Sequence, residues 1–351
     1  MGGEIPGIAA LIARAPVRIS FGGGGTDLPA YYTRFGGMVV STTINHYVYT
    51  ILSPGTRNTL QIISADYQVF FRQSLPADLF WDGDLALPKA VVHHFGNAEG
   101  LNIFLASQIP PGTGLGSSGS VAVSMITALA AWYGWEMSRS EIAELACTIE
   151  IEQMGMPVGK QDQYAAAFGG LNEIRFEADG VTVRPVEMPP GMREALQNRL
   201  LLFFTGSSRK SSSILKHQSR ASAEMDPQVV SRMHAIKELG EAILASLKAG
   251  NLNDFGELLH LSWLNKRQVA PGVTNRRIDA IYEAARQAGA VGGKITGAGG
   301  GGFLMLYVPE ERQAAVTETL QGMGLRRMDF AFDTEGAQVI LPVHHREGVR
   351  V

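Results

Sequence analysis

Cysteine is nearly absent. Cys147 is the one thiol in 351 residues, so no internal disulfide can staple the chain. Its neighbours Leu145, Ala146 and Ile149 are apolar, which marks it as a small core residue rather than a nucleophile. A reducing, cytoplasmic setting is the expectation. A surplus of basic charge is also missing: Lys and Arg number 30 against 33 Asp and Glu, for a net charge of −3. That balance argues against nucleic acid as a partner. No run approaches the ~18 uninterrupted apolar residues of a membrane span, so no membrane segment is expected. The apolar stretch at 8–13 is short and follows no basic segment, unlike a secretory signal. Pro6 stands where a myristoylation signal requires Ser or Thr.

What is present suits a large soluble fold. The composition is 45% hydrophobic and 18% charged, and the length accommodates two domains. Strand-like, β-branched stretches occur at 17–21, 39–52 and 101–107, with a candidate hairpin at 60–64 and 68–72. Helical patterns follow at 87–95 and 118–133. Ser138 with Glu141 three residues on forms a capping box that opens a helix expected to reach 154. Strands are expected at 171–176 and 181–186. Pro189-Pro190-Gly191 marks a domain boundary, giving expected domains at 1–190 and 191–351. Beyond it lie a strand at 200–204, helices near 228–249, 253–266 and 275–288, strands at 292–295 and 302–308, a helix at 310–323 and two short closing strands. Strands and helices mix without strict alternation, which favours α+β over a doubly wound sheet.

The 41 glycines cluster between these elements. The segment 110–120, Pro-Pro-Gly-Thr-Gly-Leu-Gly-Ser-Ser-Gly-Ser, runs from a strand through a glycine turn into a helix N-terminus. Glycine permits close approach of the backbone to an anion, and the free N–H groups of the helix point at it. Phosphate is the natural guest. Gly114-x-Gly116-x-x-Gly119 matches the dinucleotide fingerprint literally, but turn and helix follow where a second strand should. A P-loop needs Gly-Lys-Ser/Thr, and this segment has no lysine. Phosphate charge must then be offset by the helix end, a metal ion and groups from elsewhere in the chain. Two further glycine tracts, at 22–25 and 297–302, each adjoin a strand, which suggests one shared cleft.

Pro-Pro-Gly-x-Gly-Leu-Gly-Ser-Ser, an early Ala15-Pro16-Val17-Arg18 and a late Gly297-Ala298-Gly299-Gly300-Gly301 together resemble the three signature motifs of the GHMP kinases, in the right order across nearly the whole chain. The resemblance implies two α+β domains with the active site in the cleft between them, and ATP on the central loop. Galactokinases have Gly-Glu-His-Thr-Asp where this chain has Gly23-Gly24-Gly25-Thr26-Asp27. Residues 19–27, 159–170 and 293–302 most resemble the kinases of D-glycero-D-manno-heptose 7-phosphate, while fucokinases share parts of the pattern.

The resemblance assigns roles residue by residue. Asp162, which local pattern alone would read as a first-turn acid, matches the catalytic aspartate, and Arg18 the cation beside it. Pro111, Gly112, Gly114, Leu115, Gly116, Ser117, Ser118, Gly119 and Ser120 fall on the nucleotide loop. Ser118 and Glu150 match the magnesium ligands, a pair sufficient for an ion that otherwise takes phosphate and water; Glu152 is the alternative to Glu150. Gly24, Gly25, Thr26 and Asp27 would meet the sugar, and Gly297, Gly299 and Gly300 would close over it. Arg209, with Lys210 and Ser211, could grip a second phosphate; composition alone leaves a solvated loop equally open, and the resemblance favours the phosphate on the sugar. Lys266-Arg267 and Arg276-Arg277 read as helix-surface charges. His93-His94 and His344-His345 lack a third ligand nearby, so no zinc site is expected. The implied reaction is ATP- and Mg2+-dependent phosphorylation of a heptose 7-phosphate at C1, towards nucleotide-activated heptose. Another GHMP sugar kinase, or a non-catalytic sensor of the same fold, are the alternatives. Oligomeric state is not readable from the sequence.

Overall fold

Alternation decides the first long strand. In β1 (Ile8–Gly22) the odd-numbered residues from Leu11 to Phe21 are at most 2% exposed, while Arg14, Arg18 and Ser20 take the other parity. A strand of period two presents these sets to opposite faces. The register against its neighbour shifts between Pro16 and Val17, the mark of a bulge. The core changes there too. Leu11, Ala13 and Ala15 pack in one apolar cluster, and Val17, Ile19 and Phe21 in another. The computed structural model describes residues 8–75, 78–96, 100–206 and 212–344.

Helix α1 (Pro29–Phe35) leads to β2 (Gly37–Pro54), which pairs antiparallel with β1. The expected hairpin is present as β3 (Thr59–Ser64) and β4 (Val69–Ser74). After α2 (Ala86–Phe95), β5 (Leu101–Ser107) runs antiparallel to β2 and parallel to β3. Helix α3 (Ser117–Trp132) is buried along most of its length, and α4 (Arg139–Cys147) opens on the Ser138–Glu141 capping box. The α form does not continue to 154 as expected. Thr148–Gln153 is a π-helical turn, in which the Met154 N–H donates to the Ile149 carbonyl. Then come α5 (Gln161–Phe168), β6 (Leu171–Glu177) and β7 (Gly180–Pro185).

The second half contains α6 (Met192–Asn198), β8 (Leu200–Phe204), α7 (Ser212–Ala223), α8 (Pro227–Ala249) and α9 (Leu252–Lys266). It continues with α10 (Arg276–Ala288), β9 (Gly292–Ile295), β10 (Phe303–Tyr307) and α11 (Gln313–Gly322). Strands β11 (Arg326–Met328), β12 (Phe332–Asp333) and β13 (Gln338–His344) close it. Antiparallel strands in the order β11-β8-β10-β9 make its sheet.

The expected cut after residue 190 needs correction. Strand β12 pairs with β2, and β13 pairs with β1, so the chain's end joins the first sheet. Without β13, β1 would present an open edge of unpaired peptide groups. The second apolar cluster also joins Val17, Ile19 and Phe21 to Leu200, Phe255 and Met305. Among the described residues no helix is long and apolar enough to cross a membrane.

Candidate active site

The three glycine tracts meet, and lack of side chains is what lets them. A Cβ on Gly114 would lie 2.4 Å from the Thr296 carbonyl oxygen, and one on Gly302 would lie 2.1 Å from that of Thr113. The central loop therefore stacks backbone on backbone against the late one. It turns through left-handed φ angles at Gly112, Gly114 and Gly116, which glycine adopts without strain, and delivers Ser117 as the first residue of α3. The N-terminus of this 16-residue helix faces the cleft with unpaired N–H groups, a ready anion site. Gly112, Gly114, Gly116, Ser117, Ser118 and Gly119 line the cleft. Leu115 instead packs in the second core cluster, and its carbonyl holds the Arg18 N–H at 2.9 Å. The Ser120 hydroxyl donates to the Pro16 carbonyl at 2.8 Å. Pro111 flanks the loop outside the lining. All three were expected on the nucleotide loop, and all three lie outside the cleft lining.

Arg18 and Asp162 come together across the cleft floor. The guanidinium, only 3% exposed, places Nε 2.8 Å and Nη2 2.6 Å from Asp162 Oδ1, and Nη1 donates to the Gly114 carbonyl at 2.7 Å. Gln161 Nε2 also donates to Oδ1, at 3.2 Å, and Ser20 Oγ donates to Gln161 Oε1 at 2.8 Å. Arg18 Nε and Nη2 and Gln161 Nε2 converge on Oδ1, and Oδ2 has no protein donor among the described residues. The Asp162 side chain keeps 29% of its surface exposed. An acceptor hydroxyl can therefore reach it.

Asp27 is buried beside this pair. It accepts from the Gly25 N–H at 2.8 Å and the Gln161 N–H at 3.1 Å. Burial pushes its carboxyl up, the Asp162 charge adds to that, and the two backbone donors oppose it. Gly24, Gly25 and Asp27 line the cleft. Thr26 does not. Fully buried, its hydroxyl donates to the Gly23 and Met38 carbonyls and accepts from the Met38 N–H. The expectation that Thr26 binds sugar is corrected, because its hydrogen bonds are already spent on the backbone. Gly297 and Gly299 face the cleft, but the Gly300 N–H donates to the Val273 carbonyl at 2.7 Å and is turned away. Arg209 lies outside the described residues.

Glu150 projects from the π turn, is 1% exposed and lines the cleft. Ser118 Oγ donates to one oxygen at 2.5 Å and Gln163 Nε2 to the other at 2.6 Å. Burial pushes this carboxyl up to about 7, the Asp162 charge adds to the effect, and the two hydrogen bonds restrain it. Glu152 is exposed. A buried carboxylate of raised affinity for protons, touching a hydroxyl, suits a hard divalent cation. Among the described residues no group of three or more metal-ligating side chains is found. The Ser118–Glu150 pair is thus a site that phosphate oxygens and water would complete.

Lys266 and Gln218 are among the cleft residues that were not anticipated. Lys266, expected on the helix surface, lines the cleft and donates to the Gly297 carbonyl. Burial and the Arg18 charge lower its amine to about 8, against the opposing pull of Asp27 and Asp162. Gln218, on α7, fills the space that a side chain at Gly25 would occupy, its Nε2 lying 2.4 Å from such a Cβ. Cys147 is buried, and burial raises its thiol well above the usual range, which leaves it inert.

A glycine loop at a helix N-terminus, a buried carboxylate–hydroxyl pair and an arginine-held aspartate share one cleft, an arrangement suited to a small-molecule kinase. The GHMP kinases N terminal domain matches residues 86–170 and the GHMP kinases C terminal domain residues 243–324, and the chain belongs to the GHMP kinase family. It is an ATP-dependent kinase, a phosphotransferase. Among its relatives, the D-glycero-alpha-D-manno-heptose 7-phosphate kinase of Campylobacter jejuni is 30% identical over 93% of this chain and 97% of its own length. A solved structure of a D-glycero-D-manno-heptose 1-phosphate kinase from Bacteriodes thetaiotaomicron superposes with TM-score 0.77 at 28% identity, covering 94% of this chain and 98% of that one. A putative sugar kinase from Campylobacter jejuni superposes with TM-score 0.75 at 28% identity, over 95% and 98% of the two chains.

Proposed function

We propose that this kinase transfers the γ-phosphoryl group of ATP to the C1 hydroxyl of D-glycero-D-manno-heptose 7-phosphate, giving the 1,7-bisphosphate. The observation that carries the chemistry is the one-sided engagement of Asp162. Arg18 and Gln161 hold Oδ1, and Oδ2 is left to accept the proton of a hydroxyl nucleophile. An anomeric hydroxyl is more acidic than an ordinary alcohol, which lightens that task. Arg18, fixed between Asp162 and the Gly114 carbonyl, stabilises charge where donor and acceptor meet. The central loop and the N-terminus of α3 bind the phosphate chain. Ser118 and Glu150 would hold Mg2+, whose chemistry, when bound, is neutralisation of charge on the β and γ oxygens. Asp27, pinned by two backbone N–H groups, would bind sugar hydroxyls, with Gly24 and Gly25 leaving room for the ring.

The choice of sugar rests on the sequence stretches at 19–27, 159–170 and 293–302 and on the names of the relatives. Those names place the pre-existing phosphate at opposite ends of the heptose. The C7 position is favoured here by the name of the relative that this chain matches over 97% of that relative's length, and by the sequence pair Arg209-Lys210, whose cations would suit a phosphate already on the sugar. A buried, inert Cys147 and dependence on ATP suit the cytoplasm, and the product would feed synthesis of nucleotide-activated heptose. The test is turnover with ATP across heptose 7-phosphate, heptose 1-phosphate, free heptose, fucose and galactose, with the product site located by phosphorus NMR. Heptose 7-phosphate should give the highest kcat/KM and a C1 phosphate, and Arg209→Ala should raise its KM without altering ATP affinity. Equal use of free heptose, or preference for fucose or galactose, would overturn the assignment.

A further inference from the structure

The central loop has no lysine, yet a triphosphate bound there needs a cation as well as the helix end. Charged side chains lining the cleft are Arg18, Lys266, Asp27, Glu150 and Asp162. Of the two cations, Arg18 is committed, since Nε and Nη2 contact Asp162 Oδ1 and Nη1 contacts the Gly114 carbonyl. Lys266 is not. Its ammonium meets the Gly297 carbonyl and no carboxylate among the described residues. An ammonium has three N–H donors, so two remain for a ligand.

Position says which ligand. A Cβ at Gly297 would lie 2.6 Å from the Gly114 Cα, so the carbonyl that tethers Lys266 belongs to the residue stacked on the phosphate cradle. Arg18 reaches the carbonyl of that same Gly114 at 2.7 Å. The two cations therefore approach the loop at one glycine, and Asp27 and Asp162 are close enough to act on the Lys266 charge. On the kinase reading of the cleft, this is where donor and acceptor would meet. A phosphate on the far carbon of a heptose would lie at the other end of the sugar.

We propose that Lys266 is a further catalytic residue: its ammonium binds the transferring γ-phosphoryl oxygens and does from the end of helix α9 what a P-loop lysine does from within its loop. The inference rests on the kinase reading of the cleft but not on the identity of the sugar. In the transfer, the acceptor oxygen forms a bond to the γ-phosphorus, and the β–γ bridging P–O bond breaks with its electron pair leaving on ADP. The acceptor proton goes to Asp162 Oδ2. Negative charge on the γ oxygens persists throughout, and Lys266, tethered to the Gly297 carbonyl, offsets it.

Two sugar-free probes, MgADP and the non-hydrolysable MgAMPPNP, provide the test by calorimetry on the full chain. Wild type should bind the triphosphate analogue more tightly than the diphosphate. Lys266→Met should weaken the analogue by about tenfold to a hundredfold, the loss expected for a charge-assisted hydrogen bond, and leave MgADP within about twofold. Lys266→Arg, which keeps a fixed charge, should retain most of the preference. Equal weakening of both nucleotides would mean a structural role, and no change in either would place Lys266 off the nucleotide; each result overturns the proposal. Circular dichroism shows whether Lys266→Met is folded; where it is not, Lys266→Arg decides: loss of its triphosphate preference with MgADP retained overturns the proposal, retention supports it. Neither probe contains a sugar, so the substrate panel and this measurement fail independently.

Discussion

Asp162 is anchored through Oδ1, and the proposed chemistry falls to its other oxygen. Asn at this position can still accept from Arg18 but cannot take a proton. Asp162→Asn should bind MgAMPPNP within about threefold of wild type, a small change on the scale of a lost hydrogen bond. It should lose ~10²–10⁴-fold in kcat, the usual contribution of a general base, or roughly 3–5 kcal/mol of barrier. Steady-state rates beside calorimetry check it, and retention of more than about a tenth of kcat would remove Asp162 from the role of base. Lys266 supplies a pH signature. Its amine is held at about 8 by burial and Arg18, with Asp27 and Asp162 pulling the other way. A folded value below the lysine reference of 10.5 means that the fold prefers the neutral amine. That contribution to stability is complete above 10.5 and is lost as pH falls through about 8. Phosphate binding prefers the opposite, charged form. Preference for MgAMPPNP over MgADP should therefore decline as pH rises from about 7 to about 9, and Lys266→Arg should flatten the decline. A wild-type preference that stays level over this range would show that the ammonium does not read the γ-phosphate.

The same residue shows why part of the site was hidden. Beside Arg267, at the end of a helix, Lys266 resembles a solvated charge run. The buried residues of α9 include Phe255, Leu259, Ser262 and Trp263, and Lys266 is three residues after Trp263, on the same stripe. Helical period, not charge, carried the signal. Gln218 is similar, for it shares its face of α7 with Ile214 and Ala221, both buried. Asp162, Arg18 and Glu150 were readable as residues of one cleft because motif order placed them there, whereas Thr26 was expected in it and lies outside, because a hydroxyl in a motif does not reveal where its hydrogen bonds go.

At the scale of elements, the glycine loops depend on contacts that a sequence shows only as missing side chains. Gly116 is in the left-handed region at φ 79°, and a Cβ there would lie 3.2 Å from the Cγ atoms of both Arg18 and Asp162. Gly116→Val should thus lower nucleotide affinity and kcat together, by straining the turn and pressing on the catalytic pair. Gly322→Ala, in open space at the end of α11, should change neither. If Gly116→Val retains wild-type MgADP affinity, the loop is not the cradle. Long regular elements such as β5 and α3 were legible from periodicity. Helices α1, α6 and α7 were not anticipated: α1 is short and aromatic, α6 follows a Pro-Pro-Gly turn, and α7 is rich in serine, a weak helix former. The π turn at Thr148–Gln153 leaves no trace in composition. It matters because both Ile149 and Glu150 are buried there, one in the core and one in the cleft.

On the scale of the whole molecule, α+β architecture followed from the mixed order of elements, but the division at residue 190 did not, because strand pairing between distant segments has no local sign. The shared core makes a prediction about cooperativity. Trp81, Trp132 and Trp135 lie in the first half and Trp263 in the second, so phenylalanine replacements can leave a reporter on either side. Urea unfolding followed from each side should give coincident midpoints, and midpoints clearly apart would show two independent units. The closing strand β13 carries this further. It completes a sheet begun some 300 residues earlier, pairing Ile12 with Leu341, so neither half is a finished object by itself. A chain severed near residue 190 would yield two incomplete pieces, each supplying the strand or core face that the other lacks. Produced separately, neither piece should retain nucleotide. Mixed before folding, they should recover MgADP binding as a two-fragment protein, turning an interlock within one chain into recognition between two.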